Sequence, residues 1–191
     1  MKLAIIGNGN VGKGLTAALA RAGHEAKSYG RGDDLAAAVS GAEAVILSTS
    51  FAAAEEIARA ADFTGKVVID VSNPVTADFS GLQVGHTTSA AETIAALLPG
   101  AKVVKAFNTV FAQHYAGGLT IDGTPIQTFV ATDDDAARQT VMQLASDIGL
   151  APVAAGPLKN ARSLEPLGFM NIQFGYMLGL GTGIAPKWQI A

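Results

Sequence analysis

The chain has 191 residues with a formal charge of −3; 49% of them are hydrophobic, 15% are charged and none is cysteine. This length suits one domain with a short appendage, and a cysteine-free chain has no disulfides, thiolate-ligated zinc, iron–sulfur clusters or thiol nucleophile. No basic field is available to neutralise phosphates, so a nucleic-acid partner is not expected. No apolar run reaches the ~20 residues that span a bilayer, so a membrane partner is not expected either.

Residues Lys2–Ile6 form a short apolar run ending at Gly7, with no long leader-like apolar segment, and the expectation is a soluble cytoplasmic protein. Residues 10–22 place Val11, Leu15, Ala18, Leu19 and Ala22 at helical spacing. Gly23 stops that helix before a second strand at Glu25–Tyr29. Buried strands are predicted over 44–48 and 66–70, with an alanine-rich helix near 51–61 between them. A helix over 89–98, a Pro99-Gly100 turn and a strand over 102–107 follow. Residues 128–131, 134–148 and Ala151–Ala154 add one more strand–helix–strand unit.

Strands joined by helices in this rhythm predict an α/β Rossmann fold: a doubly wound, mostly parallel sheet with helices on both faces. The pattern changes at Pro157, with a helix over 159–178 bent at Pro166 and Gly168, then an irregular glycine-rich stretch over 179–191. The expected division is a Rossmann domain over 1–156 and a helical, irregular appendage over 157–191 that is not an independent domain.

The strongest local signal is Gly7-Asn8-Gly9-Asn10-Val11-Gly12, a G-x-G-x-x-G that follows a strand and opens a helix. Gly7 permits the tight turn, Gly9 lets backbone approach a diphosphate, and Gly12 lets the helix pack on the first strand. The free amides and positive dipole end of the helix then hold the diphosphate. The same segment satisfies G-x-x-x-x-G-K through Lys13, and Val67-Val68-Ile69-Asp70 resembles the magnesium-associated strand of nucleotide hydrolases. Gly14 stands where the magnesium-binding Ser or Thr belongs, which argues against that alternative.

An NAD site carries an acid about 20 residues past the loop to bind the ribose 2′-hydroxyl. Here the second strand ends Ser28-Tyr29-Gly30-Arg31, so Arg31 stands where a 2′-phosphate would lie and Gly30 leaves room for it. The expected cofactor is therefore NADP(H). Asp33 and Asp34 read as the cap of the next helix.

Three more loops leave the C-terminal sheet edge: Ser48-Thr49-Ser50-Phe51, Ser72-Asn73-Pro74 and Phe107-Asn108-Thr109. Thr49, Ser50 and Phe51 are candidate packing surfaces, and Asn73 and Asn108 candidate amide contacts to ribose or carboxamide, although Ser-Asn and Asn-Pro also mark ordinary turns. Of the three histidines, His24 and His86 fall away from these loops, which leaves His114 as the one candidate acid/base. Without an obvious proton carrier, the set suits hydride exchange between a nicotinamide and a flavin-like ring.

Gly7–Gly12 with Gly30-Arg31, Val71-Ser72-Asn73-Pro74 and Val104-Lys105-Ala106-Phe107-Asn108-Thr109 resemble the NADP oxidoreductase, coenzyme-deazaflavin-dependent family. That family includes NADPH:8-hydroxy-5-deazaflavin reductases and the NADPH-binding domain of the STEAP metalloreductases. The segment Leu158-Lys159-Asn160-Ala161-Arg162-Ser163-Leu164-Glu165 looks like its helical C-terminal signature. The resemblance implies NADPH binding, a flavin or deazaflavin as second substrate or another small-molecule redox acceptor, and a homodimer. It assigns the diphosphate to Asn8, Gly9, Asn10 and Val11, the 2′-phosphate to Arg31, and the nicotinamide region to Thr49, Phe51, Asn73, Pro74 and Asn108. The chain departs from the family's reductases in carrying Gly30-Arg31 where they carry Ser-Arg.

An alternative function is an NADPH-binding sensor or partner module without turnover; a remote one is the magnesium-dependent nucleotide hydrolase. In the appendage, Arg162 and Glu165 are spaced to pair or to brace the sheet edge. Met170, Phe174 and Met177 share a helical face suited to core or dimer interface, and Trp188 suits either a planar ring or an anchored tail.

Overall fold

The computed structural model describes residues 1–189. In chain order the elements are β1 (Lys2–Ile6), α1 (Asn10–Arg21), β2 (Glu25–Tyr29), α2 (Leu35–Ser40), β3 (Ala44–Leu47), α3 (Ala54–Ala60) and β4 (Val67–Asp70). They continue with α4 (Ala90–Leu97), β5 (Lys102–Lys105), α5 (His114–Gly117), β6 (Thr120–Ile121), β7 (Thr124–Pro125), β8 (Gln127–Val130), α6 (Asp135–Asp147), β9 (Ala151–Ala154) and α7 (Ala161–Ile172).

The main sheet has the order β2-β1-β3-β4-β5, with every pairing parallel. Chain direction across the sheet reverses between β1 and β3, the switch point where a doubly wound sheet opens a crevice. The register carries Ile6 opposite Leu47, Leu47 opposite Asp70 and Asp70 opposite Lys105. Four strands therefore end level, and the loops that follow them leave from one edge.

Alternation along the strands sends side chains to opposite faces. Ile5, Ile46, Ile69 and Val104 bury against Leu15 and Leu19 of α1 and Val141 and Leu144 of α6. Ala4, Val45, Val68 and Val103 bury against Val39 of α2, Ile57 of α3 and Ile94 of α4. Each such Leu, Ile or Val contributes about 1.5–3 kcal/mol over an exposed position. Helices α2, α4 and α6 begin at side-chain caps, Asp34, Ser89 and Asp134, each accepting a first-turn amide.

The predicted Rossmann fold is present, and its second strand–helix–strand unit has a particular setting. Strands β8 and β9 are parallel to each other, but β8 meets β5 through an antiparallel bridge between Lys105 and Ala131. The appendage is a 3₁₀ turn (Leu158–Asn160), α7, and a π turn (Gln173–Met177); α7 continues through Pro166 and Gly168 rather than ending there. Arg162 and Glu165 do not pair with each other: Arg162 Nη2 reaches Glu92 at 2.6 Å, and Glu165 Oε1 reaches Lys105 at 2.9 Å. The i,i+3 spacing allows a pair, but each side chain meets a partner on another element instead, Glu92 on α4 for Arg162 and Lys105 on β5 for Glu165.

The tail is anchored over β8. Gln127 and Trp188 exchange hydrogen bonds of 2.9 and 2.6 Å, and Trp188 stands edge-on to Phe129 with ring centroids 5.5 Å apart. The irregular stretch expected over 179–191 is seen as far as residue 189; residues 190 and 191 lie outside the described residues. Among the described residues, no helix is long and apolar enough to cross a membrane.

Candidate functional site

The glycine loop joins β1 to α1 at the switch point. Gly7 has φ +112°, and a Cβ on it would overlap the Ser48 carbonyl. Gly12 is held against the Gly7 carbonyl, so a side chain there would push α1 off the sheet. Gly9 differs: the position of its missing Cβ has no atom within 4 Å.

Gly9 is also the N-cap of α1 and supplies no side-chain acceptor. The helix ladder starts with the Lys13 amide donating to the Gly9 carbonyl at 2.9 Å. The amides of Asn10, Val11 and Gly12 thus precede the ladder, and the helix end presents donors to whatever fills the space above Gly9.

Two clefts meet there. The first, about 680 Å³, is walled by Asn8, Gly9, Gly30 and Arg31 on one side and Thr49, Ser50 and Ile57 on the other. The second, about 360 Å³, runs from Gly9, Asn10 and Val11 past Asn73, Asn108 and Thr109 to Phe111, Gly168 and Tyr176. Both sizes lie within the range of ligand pockets. Most of the candidate residues from the sequence are therefore brought together. Gly12 is buried beneath the loop, Phe51 opens a short 3₁₀ turn beside the first cleft, and buried Pro74 lies just past Asn73; these three line neither cleft.

His114 lies elsewhere. It is buried, and its Nε2 sits 3.1 Å from the Ile184 carbonyl of the tail, so it anchors the tail and lines neither cleft. Nearness to Asn108 in the chain was misleading, because the segment between turns the ring away from the sheet edge.

Asn73 and Asn108 form a reciprocal pair. Asn73 Nδ2 donates to the Asn108 carbonyl at 2.8 Å, and Asn108 Nδ2 donates to Asn73 Oδ1 at 2.9 Å and to the Leu164 carbonyl at 2.8 Å. Both N–H groups of Asn108 are engaged, and one of the two on Asn73. Asn108 Oδ1 is buried with no partner among the described residues, and the Thr109 hydroxyl is in the same condition. Phe107 precedes them with φ +61°, a conformation uncommon for so large a residue, and its amide donates to the Thr128 hydroxyl at 3.1 Å.

A buried ionic cluster joins β4, β5 and α7. Lys105 Nζ lies 2.7 Å from Asp70 Oδ2 and 2.9 Å from Glu165 Oε1, and Glu165 also accepts the amides of Ala90 and Ala91 at 2.9 and 3.1 Å. Sequence reasoning did not identify this cluster, although charged residues inside the apolar runs VVID and KVVKAF were the available signal. It also did not identify Gly168, Asn171, Phe111 or Tyr176, whose roles arise from the packing of α7 and the π turn over the sheet edge.

The hydrolase alternative fails on two contacts. A Cβ on Gly14 would lie 2.8 Å from Tyr115 Cβ, which leaves no room for a metal-binding hydroxyl. Asp70 is fully buried against Lys105.

No protein-family model matches the chain. It is 36% identical to Metalloreductase STEAP3 of Rattus norvegicus and 34% identical to Metalloreductase STEAP2 of Homo sapiens, each over 103 residues, or 54% of this chain. The chain spans about a fifth of the length of these curated relatives, with 20% and 19% of them covered. A crystal structure of a putative F420-dependent NADP-reductase from Arthrobacter sp. FB24 superposes with a TM-score of 0.84 at 26% identity, covering 96% of each chain. The similarity to the two metalloreductases covers 54% of this chain, and that to the solved structure covers the whole fold.

Proposed function

We propose that this chain is an NADPH-dependent oxidoreductase that passes a hydride between the nicotinamide and a flavin- or deazaflavin-type ring, or another small redox acceptor. One observation carries the reading: two clefts join at the uncapped N-terminus of α1, beside the open position of Gly9. Such an end holds a diphosphate through backbone amides and helix dipole, leaving one cleft for each half of a dinucleotide. The names of the relatives support a reductase, since they are metalloreductases and an NADP-reductase.

The residues fit the cofactor. Asn8, Gly9, Asn10 and Val11 would hold the diphosphate, and Arg31 the 2′-phosphate. Asn108 Oδ1 and the Thr109 hydroxyl, both without partners among the described residues, would receive the carboxamide. NADPH supplies a hydride donor once bound. The chain's own contribution is to orient the ring and exclude water, because among the described residues no His, Lys, Arg, Asp or Glu lines the second cleft. A neutral, ring-shaped acceptor suits that wall, with Phe111 and Tyr176 edge-on at 5.4 Å.

A homodimer is part of the proposal. Met170, Phe174 and Met177 are exposed at 50%, 40% and 57%, which supports interface rather than core for that face; sedimentation measures it. The functional test is a fluorescence titration with NADPH and NADH, followed by steady-state NADPH oxidation with flavin, deazaflavin and ferric acceptors. Tight NADPH binding with turnover on a ring acceptor is expected. Tight binding without turnover on any acceptor would establish the sensor reading instead.

A further inference from the structure

The first cleft carries more negative than positive charge. Among its lining residues Arg31 is the single cation, against the carboxylates of Asp33, Asp34 and Glu56. Asp34 is spoken for as the cap of α2, accepting the Ala37 amide at 3.0 Å. Asp33 has a different engagement. Its Oδ2 accepts the Gly30 amide at 2.7 Å, and its own amide donates to the Gly30 carbonyl at 3.3 Å. The turn Gly30-Arg31-Gly32-Asp33 is thus closed on itself, with the Asn8 carboxamide 2.5 Å from where a Gly30 Cβ would stand.

A phosphate at this corner needs donors beyond one guanidinium. The Gly30 amide, adjacent in the chain to Arg31, is the natural second donor, and a carboxylate holds it. A 2′-phosphate also brings a charge of about −1.5 to −2 towards that carboxylate. A ribose 2′-hydroxyl brings none and is itself a donor to an acid.

We infer that Asp33 is a specificity-determining residue that limits the preference for NADPH over NADH, by occupying the amide beside Arg31 and opposing the 2′-phosphate. The inference rests on the reading of the first cleft as the adenosine site. Arg31 draws the phosphate in, Asp33 holds it off, and the chain accepts both dinucleotides with narrower discrimination than Arg31 alone would set.

The test uses the full chain with Asp33→Asn and Asp33→Ala, titrated with NADPH and NADH. Asparagine keeps an acceptor for the Gly30 amide and removes the charge; alanine removes both. NADPH is expected to bind about 3- to 10-fold tighter to either variant, as for a like charge removed from a water-exposed cleft. NADH is expected to change less than about twofold for Asp33→Asn, and the NADPH gain to shrink at about 0.5 M salt. Unchanged or weaker NADPH binding, or an equal gain for NADH, overturns the inference while leaving the site reading in place. A wild-type chain that binds neither nucleotide overturns the site reading, and the inference with it.

Discussion

Glu165 Oε1 lies 2.9 Å from Lys105 Nζ, and neither side chain is exposed by more than 1%. The pair ties the appended helix α7 to the fifth strand of the sheet, and the same glutamate receives the first two amides of α4. Removing one partner of a buried ion pair leaves an uncompensated charge, which costs about 3–5 kcal/mol. Lys105→Met is therefore expected to destabilise the chain by that order in a urea melt, through Asp70 and Glu165 left facing each other's charge. A loss below about 1 kcal/mol would mean the cluster is not closed as described.

Gly9→Ala separates binding from folding. Gly9 has φ −70° and open space at its Cβ position, so alanine is accommodated by the backbone. The melting temperature is expected to stay close to that of the wild type, since the gain of about 0.4–1 kcal/mol from Gly to Ala at a compatible backbone is offset by alanine being the poorer N-cap residue. NADPH affinity is expected to fall at least about tenfold, because the methyl enters the space assigned to the diphosphate. Undiminished binding would move the diphosphate off the loop.

Arg31→Glu is expected to weaken NADPH by about 10- to 100-fold, the range for losing charge-assisted hydrogen bonds to phosphate. NADH should then become the preferred dinucleotide. Paired titrations check this, and an unchanged NADPH constant would remove Arg31 from the site.

Gly168→Ala tests the second cleft. A Cβ there would overlap Asn73 Oδ1 and lie 2.8 Å from Asn108 Nδ2, splitting the asparagine pair. Overpacking of this kind costs about 1–3 kcal/mol. Turnover with a ring acceptor is expected to drop at least about tenfold, while binding of the adenosine fragment 2′,5′-ADP stays within about threefold. Equal losses in both would show that the two clefts are not separable.

Acid should loosen the appendage. The Arg162 guanidinium, bonded to Glu92 at 2.6 and 2.8 Å, holds that carboxyl below its ordinary value of 4.5, helped by Ser89. A carboxylate with a depressed folded value stabilises the fold fully above its unfolded value and loses that contribution as pH falls through the folded one. Stability is therefore expected to decline below about pH 4.5, and Glu92→Gln to flatten that limb. Tryptophan fluorescence against pH measures it.

Several elements are legible in the sequence alone. The glycine loop, the uncapped start of α1 and the Asp34 cap all follow from local rules, in which a residue's type decides the few dihedrals and hydrogen bonds around it. The strand–helix rhythm gave the sheet for the same reason, since apolar periodicity reports which face is buried. Asn73 and Asn108 were found as candidates but their engagement with each other was not, because the two loops approach only across the sheet edge.

What the amino-acid order determined by itself is the Rossmann scaffold, through its strand–helix rhythm, and the place of the glycine turn and of the cation beyond β2, which lie within about 30 consecutive residues. Only the tertiary structure decided that His114 serves the tail, that Glu165 and Lys105 join appendage to sheet, and that Gly168 lies against the asparagine pair. The last two depend on α7 crossing the edge of β4 and β5, through contacts such as Asn108 with Leu164 and Ala90 with Glu165, 56 and 75 positions apart. Side-chain spacing along the chain carries no record of which distant surface will lie opposite.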